Sequence, residues 1–288
     1  MATRIVLLAP PDRLAPLRRI AAPFWSQAGT ARALNRQNWW ALSFRLPGQP
    51  TQEIGELASR ARSEGVDVVE LREPLATWLP GLLVSDVDST ITRTEAIDLL
   101  GEAAGRADEV AEVTARAMAG ELDFAESLRA RVACLEGLPA EAVDEAARAT
   151  VVTDGARELV QAAHRAGCRF TMVSGGFTRM VEPLARRLGA DAFVANDLEI
   201  VDGRCTGRVL GEIVDRSAKA RYLRRWAEKY DVDTRLTVAI GDGANDLDMM
   251  AAAGMSIAFC AKPVVVEAAD AAISLPRMDA IPALWARP

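Results

Sequence analysis

From about residue 76 to its C-terminus the chain alternates short apolar runs with amphipathic stretches, and this constrains its fold more than any other feature. GLLVS, TRLTVAI and MSIAF carry apolar residues in succession, as in strands covered on both faces, and CRFTMVS is a further strand signal. Helical patterns separate them: one running to Leu188, one over Ser217 to Lys229 and one over Asn245 to Ala253. Such alternation predicts a parallel sheet with helices on both sides, an α/β doubly wound, Rossmann-like core. One stretch breaks the rhythm. Residues 94–150 are Ala- and Glu-rich and helical throughout, and their place after the first core strand makes them a cap on a domain spanning 76–288.

Residues 1–75 read differently. TRIVLLAP, a helical DRLAPLRRIAAPFW, a strand pair around ARALNRQNWWALSFRL, a helix through TQEIGELASRARSEG and VDVVELRE give β-α-β-β-α-β, the ferredoxin-like α+β arrangement. No catalytic cluster falls within it. Trp39 and Trp40 fit a binding platform, but sheet core or an interface accounts for them better.

Two strand ends carry acidic clusters. In Asp86-Val87-Asp88-Ser89-Thr90 the two aspartates are two residues apart, so on an extended chain they point to the same side. Their mutual repulsion raises one pKa unless a cation intervenes. The first can then serve as ligand and nucleophile, and the second can carry a proton. Alone, the motif is equally an Asp-rich turn. The second cluster, Gly241-Asp242-Gly243-Ala244-Asn245-Asp246, decides between the two. Its small residues let the backbone pass close to a ligand, and the carboxylates of Asp242 and Asp246 add oxygen donors suited to Mg²⁺. A third strand end supplies Ser174 and the amides of Gly175 and Gly176 ahead of a helix, an arrangement that suits a phosphate oxygen.

Composition removes several alternatives. The net charge is -6, with 40 acidic against 34 basic residues, so no basic surplus exists to hold a nucleic acid. The single histidine, His164, excludes a His-rich zinc site and falls in an alanine-rich amphipathic pattern as a helix-surface residue. The four cysteines form no C-x-x-C pair and read as reduced, mostly buried thiols. Pro10 and Pro11 break the N-terminal apolar run before it reaches signal-peptide length, and the longest charge-free apolar stretch, Met249 to Ala261, is 13 residues, short of a membrane span. The expectation is a soluble, cytoplasmic protein with no nucleic-acid or membrane partner. Lysines are scarce among many arginines, so Lys219, at the start of the helix SAKARYLRRWAEKY, invites a role as a point contact to phosphate and carboxylate. Lys229 and Lys262 suggest none.

In the order DVDST, VSGG, Lys219 in SAKA and GDGAND, the chain resembles the haloacid dehalogenase superfamily, over a domain of about 210 residues. The second aspartate, Asp88, resembles the phosphatases and phosphotransferases of that superfamily. The cap narrows the likeness to the phosphoserine phosphatase family, which has a Glu nine residues after the nucleophile and an Arg in a run like F-x-x-S-L-R-x-R-V. Here these are Glu95 and Arg131. A carboxylate that holds an ammonium and a guanidinium fork that holds a carboxylate together describe an amino acid. Arg129 is the rival for the second role, although the family pattern places it on Arg131. Met118 and Phe124 match apolar positions that close over the substrate, while simple helix packing explains them as well.

The resemblance implies a mechanism. Asp86 attacks phosphorus to form an aspartyl-phosphate; Asp88 protonates the departing hydroxyl and later activates water. Mg²⁺ is held by the side chains of Asp86 and Asp242 and the backbone carbonyl of Asp88, with Asp246 behind. Ser174, Gly175 and Lys219 steady the phosphoryl oxygens, and Asn245 hydrogen-bonds the phosphate or the substrate. The implied activity is Mg²⁺-dependent hydrolysis of O-phospho-L-serine, the last step of serine synthesis. A phosphatase or phosphotransferase for another small amine-bearing ester such as phosphohomoserine is the nearest alternative, and a non-catalytic amino-acid-binding regulator a more distant one. The N-terminal domain resembles the ACT-like modules that precede many such enzymes. Its first loop is Ala-Pro-Pro-Asp where those modules carry a glycine, which favours a role in a homodimer over ligand binding.

Overall fold

The computed structural model describes residues 2–47 and 53–285; Thr51 and Gln52, where the second sequence-read helix starts, lie outside them. The N-terminal part runs β1 (Ala2–Ala9), α1 (Leu14–Trp25), β2 (Thr30–Arg36), β3 (Trp39–Pro47), α2 (Glu53–Ser63) and β4 (Asp67–Leu71). Its four strands lie in the order β2-β3-β1-β4, and every pairing is antiparallel. This is the ferredoxin-like order. Strand alternation divides the side chains cleanly. Ile5, Leu7, Leu42 and Phe44 pack under the helices with Leu17 and Phe24, while Val6, Leu8, Trp39, Ala41, Val69 and Leu71 face the rest of the molecule and join its main core.

The second part has β5 (Leu82–Ser85), then the four cap helices α3 (Ala96–Ala103), α4 (Ala107–Met118), α5 (Phe124–Ala133) and α6 (Ala140–Ala149). There follow α7 (Ala156–Arg165), β6 (Arg169–Phe177), α8 (Thr178–Leu188), the hairpin strands β7 (Ala192–Val201) and β8 (Arg204–Leu210), and α9 (Arg216–Lys229). The chain continues through β9 (Thr237–Gly241), α10 (Leu247–Ala252), β10 (Met255–Phe259), α11 (Pro263–Ala268) and β11 (Ala271–Ile273). The sheet order is β11-β10-β9-β5-β6-β7-β8. Pairings are parallel except for β8, which runs antiparallel at the edge. The order reverses between β5 and β9, so the crevice beyond their C-terminal ends is the topological switch point at which such sheets bind ligands. Both acidic clusters leave the sheet there.

Each face of the sheet has its own core. Leu83, Val238 and Ile240 pack with α7, α8 and the C-terminal 3-10 helix, whereas Leu82, Val84 and Ala239 pack under α9 and α10. The cap has a third core of Leu100, Val110, Leu128, Val132 and Val143, seated on Phe177 and Met180. Helix α5 is started by a capping box: Asp123 accepts from Glu126 N at 2.8 Å and Glu126 accepts from Asp123 N at 2.9 Å.

The two parts are joined by polar contacts as well. Trp39 Nε1 donates to Asp279 at 3.0 Å, which settles Trp39 as an interface residue. Asp67 accepts from Ser274 N at 2.9 Å, Ser274 Oγ at 2.7 Å and Leu275 N at 3.1 Å. His164 lies on the surface of α7 with Nε2 2.9 Å from Asp191. Cys168 and Cys205 are buried, Cys134 is half-buried and Cys260 is exposed, and all four are free.

Candidate active site

Asp86 is the first residue beyond β5, and its amide donates to Ile240 O on β9 at 2.9 Å, which fixes it at the switch point. The other acidic strand end lies beside it: one carboxylate oxygen each from Asp86, Asp242 and Asp246 falls within 4.8 Å of the others. Lys219, fully buried on α9, donates to Asp86 Oδ1 at 2.6 Å and to Asp246 Oδ1 at 2.7 Å. Asp246 Oδ2 accepts from the amides of Gly243 at 3.1 Å and Asp242 at 3.2 Å. Both of its oxygens are therefore engaged, and Asp246 serves to hold the loop and the lysine. A Cβ on Gly241 would lie 2.5 Å from Asp246 Oδ2, so only glycine lets the strand end pass so close to that carboxylate.

Burial, then the charge of Asp246, raises the Asp86 carboxyl well above its ordinary value, and Lys219 counters this only in part. The Asp242 carboxyl is pushed up to about 6, first by burial and then by Asp246. Burial alone would lower the Lys219 pKa, but Asp246 and Asp86 outweigh it and hold the ammonium protonated. One buried ammonium thus faces three carboxylates. Asp86 Oδ2 and Asp242 Oδ2 remain free of the hydrogen bonds that engage their partner oxygens. An all-oxygen donor set with unbalanced negative charge fits a hard divalent cation, held by Asp86 and Asp242.

Asp88 is placed by the tight loop 87–91, in which Ser89 takes a positive φ of 58°. Its Oδ1 accepts from Ala96 N at the start of α3 at 2.8 Å, and its Oδ2 from Ser174 Oγ at 2.9 Å. Burial and the neighbouring Glu95 push its carboxyl up to about 6, a value suited to proton exchange near neutrality. Gly176 N donates to Ser174 Oγ at 2.8 Å. That amide, read from sequence as free for a phosphate oxygen, is therefore committed to orienting Ser174, and the Gly175 amide is the one left at the turn.

A cavity of about 570 Å³ opens above these groups, lined by Asp86, Asp88, Glu95, Met118, Phe124 and Arg131, with Gly175, Asp242 and Asn245 among the rest. Glu95 accepts from Ser89 Oγ at 2.8 Å. Arg131 is half-buried on α5, with its pKa lowered by burial against the pull of Glu95 and Asp98. Arg129 points outward and is exposed, so of the two arginines it is Arg131 that reaches the cavity. Met118 lines it too while remaining 81% exposed, and Phe124 stacks its ring edge against the Gly175 turn, where a Cβ would meet Phe124 at 3.0 Å.

Three contributors had no assigned role in the sequence. Thr90 Oγ1 donates to Asp242 Oδ1 at 2.9 Å; it stood inside the DVDST motif and was open to notice. Asn196, buried on β7, donates to Gly175 O and accepts from Val214 N, both at 2.8 Å, and so braces the Gly175 turn. Nothing local in the strand sequence AFVANDLEIV marks such a bridge. Asp98, on the cavity wall, lies within the field of Arg131.

A family model described as haloacid dehalogenase-like hydrolase matches residues 83–251. A phosphoserine phosphatase of Streptomyces coelicolor is 51% identical over 84% of this chain and 59% of its own length. One from Streptococcus thermophilus is 50% identical over 64% of this chain and 86% of its own. A crystal structure of a probable phosphoserine phosphatase from Vibrio cholerae superposes with a TM-score of 0.78 at 34% identity, covering 98% of this chain and 86% of that one. The chain spans 59% and 55% of the first two curated relatives it matches. With the two acidic strand ends, the cap and these matches all in agreement, the chain belongs to the haloacid dehalogenase-like hydrolase family, in its phosphoserine phosphatase branch.

Proposed function

We propose that the protein hydrolyses O-phospho-L-serine to serine and phosphate, with Mg²⁺ as the cation held by Asp86 and Asp242. The carrying observation is that Glu95 and Arg131 line the same cavity as Asp86 and Asp88. That cavity thus offers an ammonium acceptor and a carboxylate fork beside a nucleophile and an acid.

Asp86, whose Oδ1 is tied to Lys219, attacks phosphorus through one carboxylate oxygen and leaves the other for the cation. As the new P–O bond forms, the ester P–O bond breaks, and the serine oxygen takes the proton of Asp88. Asp88, now ionised, draws a proton from water; the oxygen of that water attacks the aspartyl-phosphate, phosphate departs and Asp86 is restored. A bound divalent cation supplies charge neutralisation for the phosphoryl group. Lys219, Ser174 and the Gly175 amide meet the phosphoryl oxygens, and Asn245 hydrogen-bonds the phosphate or the substrate. Glu95 and Arg131 fix the amino acid end; Met118 and Phe124 form the apolar wall that keeps water from the reacting atoms.

The same reading includes a 76–288 catalytic domain behind a 1–75 module. That module has one sheet face spent on the catalytic domain, which leaves its exposed edge strand β2 for pairing with a second copy. Light scattering that gives a monomer mass would remove the dimer. No described helix is long and apolar enough to cross a membrane, and four free thiols suit a reducing, cytoplasmic setting.

The test is phosphate release from phosphoserine, phosphohomoserine, a sugar phosphate and a nucleotide, each with Mg²⁺ and with chelator. Phosphoserine turned over fastest, and only with metal, is the expected result. Activity that survives chelation, or preference for the sugar phosphate, would overturn the assignment.

A further inference from the structure

Helix α5 presents Phe124, Ser127, Leu128 and Arg131 at helical spacing to one side, and all four line the cavity above Asp86. Phe124, Leu128 and Arg131 are accounted for by packing and charge. Ser127 is not. It is 2% exposed, and its Oγ has no hydrogen-bond partner among the described residues. Its backbone is satisfied, since Ser127 N donates to Asp123 O at 2.9 Å.

A serine in mid-helix ordinarily returns its hydroxyl to the carbonyl one turn back or turns it to water. Here it does neither. In the Ala-rich run FAESLRARVA, alanine would suit both helix propensity and burial better. A buried hydroxyl that is left unpaired at a ligand cavity has its partner in the ligand.

The neighbouring charge identifies that partner. Arg131 Nε reaches back to Ser127 O at 3.3 Å, so the guanidinium lies along the turn that carries the hydroxyl. Both groups are donors on one face. A carboxylate is acceptor-only with about four lone-pair sites; an Arg fork occupies two of these, and a hydroxyl donor can fill a third. The ammonium acceptor, Glu95, is held by Ser89 from another element, which leaves Ser127 on the carboxylate side.

We propose that Ser127 Oγ donates a hydrogen bond to the substrate α-carboxylate beside Arg131, making Ser127 a specificity-determining residue that selects carboxylate-bearing phosphomonoesters. The assignment rests on the amino-acid phosphate reading of the cavity given above.

The test compares wild type and Ser127→Ala, both Mg²⁺-loaded, on O-phosphoserine and on O-phosphoethanolamine, which is phosphoserine without its carboxylate. A hydrogen bond to a charged group corresponds to roughly tenfold or more in affinity. The expected result is a fall of about tenfold in kcat/KM for phosphoserine, carried by KM, with kcat/KM for phosphoethanolamine unchanged. The melting temperature of ligand-free Ser127→Ala stays level or rises, because the removed hydroxyl has no partner to lose. Equal loss on both esters, no loss on phosphoserine, or a lowered melting temperature overturns the proposal and leaves the reading of the cavity standing. A wild type that does not prefer phosphoserine to phosphoethanolamine overturns that reading, and this assignment with it.

Discussion

Lys219→Met removes the one ammonium shared by two buried carboxylates while keeping the length and volume of the side chain. Both bonds, 2.6 Å to Asp86 and 2.7 Å to Asp246, lie within fully or nearly fully buried side chains. Breaking a buried pair from one side costs about 3 to 5 kcal/mol. The variant has one escape, which is to protonate a carboxylate. Asp246 keeps two backbone amide donors, so the proton goes to Asp86. Protonating an aspartate of ordinary pKa costs about 1.4 kcal/mol per pH unit above 3.9, which caps the loss at about 5 kcal/mol at pH 7.5 and about 2 kcal/mol at pH 5.5. The sign follows from the direction of the shift. Asp86 already sits above its ordinary value, and loss of Lys219 raises it further. The folded variant therefore binds a proton more tightly than the unfolded chain, and its stability improves as pH falls. Urea unfolding in EDTA, followed by tryptophan fluorescence, measures this directly, with Trp226 buried on the same helix as Lys219. A gap of less than about 1 kcal/mol at pH 7.5, or one of equal size at both pH values, would refute the argument that the lysine compensates buried charge.

Asp88→Asn keeps the acceptor for Ala96 N but cannot give up a proton, so turnover falls by about 10² to 10⁴ with metal binding intact; steady-state kinetics beside a metal titration separates the two. Asp67→Ala leaves the amides of Ser274 and Leu275 without their acceptor. It costs about 2 to 4 kcal/mol, and hydrogen exchange should show faster opening at those two amides than at the amides of β11. For Asp191, burial raises the pKa but the Phe170 amide, Arg169 and His164 together bring it below the ordinary value. Its contribution is therefore present above the unfolded-state pKa and lost as pH falls through the folded one. Asp191→Asn should be destabilised by about 1 to 2 kcal/mol at pH 7, and its melting curve should converge on that of wild type below about pH 4.

The two acidic strand ends were legible because parallel strands deliver site residues at their C-terminal ends, so a strand and the residue that follows it are contiguous in sequence. Asp86 and Asp242 needed only the local pattern, and the sheet order then brought them together. Lys219 was weaker in sequence, since its significance lies in bonds to residues 133 and 27 positions away. Asn196, Trp39 and Asp67 act across still less predictable separations, and no periodicity encodes them. Helix α11, only six residues long, is too short for a helical period to register. The helix read over Asn245 to Ala253 starts instead as a 3-10 turn and ends at Ala252, because Asp246 spends its carboxylate on the amides behind it.

The cap is held unevenly, and this decides which part of it can move. The turn between α5 and α6 is stitched to the β7–β8 hairpin. Gly137 N donates to Cys205 O at 2.8 Å, Cys205 N to Leu138 O at 2.9 Å, Ala140 N to Gly203 O at 2.8 Å and Arg204 to Gly137 O at 2.7 Å. A swing of the whole cap would break all four. Helix α4 buries only Val110 and carries the exposed Met118, so displacing it breaks none of them. Displacing α4 is therefore the least costly change in the cap, while the hairpin bonds hold the end of α5, which carries Arg131 and Phe124. On the proposed function, the carboxylate fork of Arg131 is therefore pre-organised on the half of the cap stitched to the hairpin, and exclusion of water falls to α4 with Met118.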